Sequence, residues 1–151
     1  DQYTRMKAAD SLGEIGTGNK DTIAALVQLL QSTTVDQYTR MKAADSLGEI
    51  GTGNKDTIAA LVQLLQLNNV DYETRWSAKD SLEKILQHNK HRFAVVKFLS
   101  RDWYFDNEYH YLAWKCAQNM PYPDFYQAWH QRNFATRTMQ SLKKILFTRI
   151  I

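Results

Sequence analysis

The chain has 151 residues, of which 44% are hydrophobic, and 19 basic residues outweigh 16 acidic ones to give a net charge of +3. This length and composition suit a folded chain of single-domain size and exclude a disordered or collagen-like one. The sequence contains no apolar run of the roughly 20 residues needed to cross a bilayer and no visible signal peptide, so we expect no membrane span and a cytoplasmic location.

An internal repeat dominates the first half of the chain. Residues 1–31 and 36–66 are identical, and residues 1–35 and 36–70 differ only where Ser-Thr-Thr at 32–34 is replaced by Leu-Asn-Asn at 67–69. A period of this size is the signature of a solenoid, in which stacked helical hairpins share one core. We therefore predict an all-α, right-handed solenoid with units at 1–35 and 36–70 and a degenerate unit at 71–100.

Each regular unit is predicted to contain two helices. The first covers about residues 2–15, is capped by Asp1 and ends at Gly16-Thr17-Gly18, where glycine tolerates the left-handed backbone. Asn19 is expected to cap the second helix, at about 20–30. The apolar stripes that these helices would bury are Met6, Ala9, Leu12 and Ile15 in the first, and Ile23, Leu26, Val27 and Leu30 in the second.

The third unit has lost the Gly-Thr-Gly turn, so its first helix is predicted to run longer before Asn89 caps a second helix at about 90–100, burying Phe93, Val96 and Leu99. Residues 101–151 are expected to form a helical extension packed on this last unit. Its three predicted helices cover about 108–120, 123–130 and 134–148. The buried stripe of the first of them is Tyr109, Leu112, Ala113, Cys116, Ala117 and Met120.

Each regular unit resembles a HEAT repeat of the short type also found in phycobilisome lyases. The resemblance lies in the sequence TRMKAADSLGEIG, a short turn and the sequence DTIAALVQLLQ. The resemblance covers residue 1 to about residue 99 and implies a scaffold fold. It also implies a ladder of aspartates and arginines between neighbouring units. The matching positions are Asp1, Asp36 and Asp71 with Arg5, Arg40 and Arg75.

The segment at 112–130 is similar to one that follows the HEAT repeats in bacterial NACHT-family NTPases. Its sequence is LAWKCAQNMPYPDFYQAWH. This resemblance implies the C-terminal sensor or scaffold part of a nucleotide-driven switch. No GxxxxGK[ST] phosphate loop occurs in the chain, so we expect a fragment of a longer protein with further repeats upstream.

Few residues of the chain are candidates for catalysis or metal binding. Cys116, the only cysteine, falls on an apolar stripe, where a thiol packs as a small hydrophobic group. His110 lies six residues from Cys116, on a different side of the same helix, and the histidines show no zinc-binding spacing. The carboxylate pair Asp10 and Glu14 is copied into the second unit, which is typical of a solvated face. We therefore predict no catalytic, metal or cofactor site and no enzymatic activity.

The predicted function is protein binding. We expect the second helix of each unit to line the concave face and to present a strip of exposed polar side chains, with aromatic residues of the linker nearby. These candidate partner-binding residues are Lys20, Gln28, Gln31, Lys55, Gln63 and Gln66, with Trp103 and Tyr104. Self-association through the uncovered N-terminal unit is a further expectation.

Two alternatives stay open. Residues 71–151 carry 13 bases against eight acids, and the aromatics Trp103, Tyr104, Trp114 and Trp129 lie near the basic tail, as in some nucleic-acid-binding HEAT-like proteins. The repeats themselves are slightly acidic, with eight acids and six bases in residues 1–70, which disfavours a phosphate-binding groove along them. A bilin-lyase-like subunit is the less favoured alternative.

Overall fold

The computed structural model describes residues 1–67, 69–100 and 107–131, with the side chains of residues 107 and 108 not described. Within these residues the chain forms only helices, which confirms the predicted all-α solenoid. The helices are α1 Gln2–Ile15, α2 Lys20–Gln31, α3 Gln37–Ile50, α4 Lys55–Gln66, α5 Tyr72–Ile85, α6 Asn89–Leu99, α7 Asn107–Gln118 and α8 Tyr122–His130.

The first helix of every unit begins in the same way. The carboxylates of Asp1, Asp36 and Asp71 each accept a hydrogen bond from the backbone N–H three residues later, at 2.8, 2.8 and 2.9 Å. Asn19 and Asn54 cap the second helices of the two regular units through the same kind of bond. Each cap satisfies amides that a helix leaves without an internal partner.

The turn inside each regular unit depends on glycine. Gly18 and Gly53 have φ angles of 76° and 71°, in the left-handed region that side chains with a Cβ rarely adopt. The Gly-Thr-Gly sequence therefore fixes where the first helix ends.

The prediction of a longer first helix in the third unit is wrong. α5 has 14 residues, as α1 and α3 do. Leu86 is only 5% exposed, so the chain turns there to place this side chain in the core, even without a glycine. His88 rather than Asn89 precedes α6, and its side chain makes no capping hydrogen bond. Phe93 is half-buried, while Val95 joins Val96 and Leu99 in the core.

The helices pack between units more than within them. α1, α3 and α5 lie closely side by side, and α2 and α4 pack against the first helix of the following unit, α3 and α5 respectively. The second helices, α2, α4 and α6, are less closely packed on one another. A single apolar cluster results, which runs from Ala9 in α1 to Ala128 in α8. The units thus share one core.

The first helices of neighbouring units can approach each other closely because a glycine of one helix packs against a serine of the next. A Cβ built on Gly13 would lie 2.6 Å from Ser46 Oγ, and one on Gly48 would lie 2.5 Å from Ser81 Oγ. Each serine donates its hydroxyl to a carbonyl of the preceding first helix, Ser46 to Ala9 and Ser81 to Ala44, both at 2.9 Å. The same contact thus recurs at both interfaces.

Identical sequences are buried differently in the two regular units. Ile15 is 79% exposed, whereas its copy Ile50 is 6% exposed. Leu12 is half-buried, while its copy Leu47 is fully buried. Because the local sequence is the same, the neighbouring helices alone account for these differences.

The C-terminal helices continue the stack. α7 packs on α5 and α6, α8 packs on α6, and the Tyr109 hydroxyl of α7 donates to the Leu65 carbonyl of α4. Four residues of the predicted α7 stripe are buried, namely Leu112, Ala113, Cys116 and Met120. The helix predicted at 134–148 lies outside the described residues.

Candidate interaction surfaces

The predicted polar strip lies on α2 and α4, and all six of its members there are exposed. Gln31 Nε2 donates to Gln63 Oε1 at 3.0 Å, so the strip is bridged between the two helices. Trp103 and Tyr104 lie outside the described residues. The strip therefore remains a candidate surface of the second-helix layer.

The first helices are packed more closely than the second helices. Our expectation that the second helices line the concave side stays a prediction.

Among the described residues, the expected aspartate–arginine ladder forms at one step only. Arg5 Nη2 lies 3.7 Å from Asp36 Oδ2, between the first two units. Arg40 instead donates to the Ser32 carbonyl at 2.6 Å, and Arg75 donates to the Leu67 carbonyl at 2.9 Å. These two arginines thus hydrogen-bond to the loops that join the units and stabilise them.

Asp36 is held in its charged form. Burial acts to raise its pKa, but hydrogen bonds from Thr39 and the charge of Arg5 outweigh that effect, and the net pKa lies below the ordinary aspartate value. This residue therefore serves both as a helix cap and as a partner of the preceding unit.

A row of exposed aromatic side chains follows the layer of first helices. From the sequence, only Tyr111 and Trp114 are identified as lying off a buried stripe and able to contact a partner. The row as a whole was missed, although Tyr3 and its copy Tyr38 also fall outside the buried stripe and could have indicated it. Its members are Tyr3 on α1, Tyr38 on α3, Tyr72 and Trp76 on α5, and Tyr111 and Trp114 on α7, which are 43–66% exposed. Exposed aromatic residues of this kind are enriched at protein–protein interfaces.

Neighbouring members of the row are linked across the helices. Tyr3 and Tyr38 line one shallow hollow, and Trp76 lines another together with Met41 of α3. The Lys79 ammonium lies 5.3 Å from the Trp76 ring centre and 4.6 Å from that of Tyr111. Lys79 is only 8% exposed, so this cation is fixed between α5 and α7. The aromatic row is therefore continuous from α5 to α7.

The second-helix layer contains an open groove between α4 and α6. Its volume is about 590 Å³, and its lining is mainly apolar. Its larger apolar lining residues are Ile58, Val62 and Phe98. Three lysines also line it, Lys55 on α4 with Lys90 and Lys97 on α6. The groove therefore combines an apolar floor with a positive rim.

His91 lines this groove from α6 and is 6% exposed. Both of its ring nitrogens are buried without a hydrogen-bond partner. Burial lowers its pKa, and the positive charges of Lys90 and Lys55, with that of His88 when protonated, lower it further. A buried neutral imidazole is thus part of the wall.

Cys116 is 2% exposed, and burial raises the pKa of its thiol to about 12. A thiol in this state is a poor nucleophile at neutral pH. Among residues 1–67, 69–100 and 107–131, no group of three or more histidines, cysteines or carboxylates could hold a metal ion. Over the same residues, no helix has the length and hydropathy of a bilayer-spanning segment.

Comparison with known families gives two matches. The family described as HEAT repeats matches residues 1–83. The family described as NACHT C-terminal Cysteine and Histidine-containing matches residues 102–130, a stretch that contains His110, Cys116 and His130. No curated protein and no solved structure matches the chain. The two family matches confirm both resemblances drawn from the sequence, and the first covers more than half of the chain.

Proposed function

The chain belongs to the HEAT-repeat family, and we propose that it is a non-enzymatic protein-binding scaffold or sensor segment of a larger NACHT-type NTPase. HEAT repeats followed by a NACHT-associated segment fit a repeat scaffold. The proposed cellular location is the cytoplasm.

The aromatic row on the first helices is the observation that carries the proposal. Exposed tyrosine and tryptophan offer large apolar area with little side-chain entropy to lose, which makes them frequent hot spots of binding. Trp76 and Tyr111 are also held in place by Lys79, so a partner would meet a preorganised surface. This surface crosses several helices and thus suits a protein or peptide partner.

A role without catalysis is supported by the state of the most reactive side chain. The thiol of Cys116 is buried with a raised pKa. The copied carboxylates are in use as structural partners, since Asp10 faces Lys42 at 3.9 Å and Asp45 accepts a hydrogen bond from Ser77. These groups do not converge on one cleft.

Self-association belongs to the proposal as a secondary interaction. Ile15 on one side of α1 is exposed, whereas its copy Ile50 in the second unit is buried. A second molecule that covers this side would remove apolar surface from water.

Selection from a random-peptide display library on the immobilised chain tests the proposal. We expect enriched peptides whose affinity falls at least about fivefold for Trp76→Ala or Trp114→Ala, as for hot-spot residues. Tyr122→Ala is the matched control, because Tyr122 on α8 is 73% exposed and lies outside the row. We expect this control to bind as the unaltered chain does.

Two outcomes would contradict the proposal. One is the absence of any enriched peptide together with tight, salt-dependent binding of single-stranded DNA, which would favour the nucleic-acid alternative. The other is an equal loss of peptide affinity in Tyr122→Ala and Trp76→Ala, which would mean that the aromatic row is not the binding surface.

A further inference from the structure

The groove between α4 and α6 lies at the junction of the second and third units. α2 and α4 are joined by the Gln31–Gln63 hydrogen bond and lie closer to each other than α4 and α6 do. α6 in turn packs against α7 and α8. The space therefore opens where the regular repeat meets the divergent part of the chain.

Apolar area lies uncovered in this groove because two positions on its walls are alanines. Ala59 on α4 and Ala94 on α6 are both exposed and Phe98 is half-buried, while Ile58 and Val62 form the floor with only 6% and 9% of their surface exposed. A volume of about 590 Å³ is within the range of binding sites for several side chains.

The electrostatic character of the groove is one-sided. Three lysines and a histidine line it, and no carboxylate is found among its lining residues in the described part of the chain. His91 lies among these lysines, and the charges of Lys90 and Lys55 add to the effect of burial in lowering its pKa. An occupant with negative charge would therefore be attracted, and a basic one repelled.

We infer that this groove binds a short acidic amphipathic helix of a partner protein. This inference rests on the proposed scaffold function and identifies the chemistry of one partner. Leucine-like side chains spaced three and four residues apart cover Ile58, Val62 and Phe98, and glutamates or aspartates on the helix flanks pair with Lys55, Lys90 and Lys97.

A helix suits the groove better than an extended peptide does. The walls are two helices, whose backbone groups are already bonded internally, so an extended segment would find no strand edge to pair with. α4 has 12 residues and α6 has 11, which corresponds to walls of about 18 Å and to about three turns of a docked helix.

The chain's own C-terminal stretch does not fit this site by charge. Residues 132–151 contain five basic residues and no acidic one. Placing them beside three lysines would be electrostatically unfavourable. The charge of the groove thus favours an acidic occupant over residues 132–151.

The repeat supplies a matched pair of variants for the test. Ala59→Glu puts a like-charged, bulky group against the acidic ligand, and Ala24→Glu makes the same change at the copied, exposed position on α2, outside the groove. Lys55→Gln and Lys20→Gln form a second pair of the same kind. Because all four positions are exposed, these changes leave the fold intact.

The probe is a fluorescein-labelled 14-residue helical peptide with leucines at i, i+3, i+4 and i+7 and glutamates elsewhere, titrated by fluorescence anisotropy with the full chain. We expect saturable binding that weakens at least about tenfold in Ala59→Glu and by less than about twofold in Ala24→Glu, the scale of a lost interface contact. Lys55→Gln should weaken binding, while Lys20→Gln should not.

Three outcomes would overturn the inference. They are equal effects of the paired variants, unchanged affinity for a peptide in which serines replace the leucines, and stronger binding of single-stranded DNA that depends on the same lysines. If the display library yields peptides sensitive to Trp76→Ala while the acidic peptide fails to bind, this inference is refuted and the proposed scaffold function stands.

Discussion

Thr22 and Thr57 occupy the same position in the first and second units, but their surroundings differ. Thr57 is fully buried, and its hydroxyl oxygen has no hydrogen-bond partner, whereas Thr22 is 8% exposed. The backbone N–H of each donates to Oδ1 of the asparagine that caps its helix, at 3.0 Å for Thr57 and 3.3 Å for Thr22. A buried hydroxyl without a hydrogen-bond partner destabilises the folded state, so the deeper burial of the second unit carries a cost in free energy at the Thr57 hydroxyl.

We expect Thr57→Val to raise the free energy of unfolding by about 1 kcal/mol, because it removes an unpaired buried hydroxyl and keeps the side-chain shape. Thr22→Val is the matched control and should change stability less. The denaturant midpoint measured by circular dichroism checks both. A loss of stability in Thr57→Val would mean that its hydroxyl is paired in solution.

At the scale of the helices, close approach of the first helices depends on Gly48. A Cβ there would lie 2.5 Å from Ser81 Oγ, 2.8 Å from Ser81 Cβ and 3.0 Å from Ser81 Cα. Because the last of these is a backbone atom, rotation of the serine side chain cannot relieve the clash. The whole helix would have to move.

Gly48→Ala should lower the free energy of unfolding by about 1–2 kcal/mol, because overpacking outweighs the gain of about 0.5–1 kcal/mol that alanine brings within a helix. Ser11→Ala is the control, since Ser11 is exposed on α1 and gains helix propensity without a clash. Chemical denaturation of the two variants separates these effects. Stabilisation by Gly48→Ala would contradict the close packing of α3 and α5.

Helix positions in the regular units could be predicted from the sequence because local signals agree there. Asp36 and Asn54 cap helices, and Gly53 requires a left-handed turn, so each boundary has its own chemical cause. The end of α5 could not be predicted in this way. It is set by burial of Leu86 against other helices, a tertiary effect that no local pattern around residue 86 reveals.

For the molecule as a whole, the sequence predicts the solenoid but not its surfaces. The period of the repeat determines which units stack, whereas the spacing of α4 and α6 depends on how α7 and α8 pack on α6. The α4–α6 groove and the deep burial of His91 follow from that packing. The aromatic row was within reach of sequence reasoning, because Tyr3 and Tyr38 repeat at a position off the buried stripe.

Each unit is stabilised by its neighbours rather than by its own hairpin. The two regular units offer an internal control, because corresponding amides of α2 and α4 have the same local sequence and hence the same intrinsic exchange rate. Val27 and Leu29 are half-buried, whereas their copies Val62 and Leu64 are buried. Neighbours lie on both sides of α4 but on only one side of α2 within the described chain.

Hydrogen exchange followed by mass spectrometry measures this difference directly. Peptic fragments that extend into 32–34 or 67–69, where the units differ in sequence, can be told apart by mass. We expect the amides of α4 to exchange at least about tenfold more slowly than those of α2, since local opening is rarer where a helix is covered on both sides. Equal exchange rates in the two helices would contradict the account.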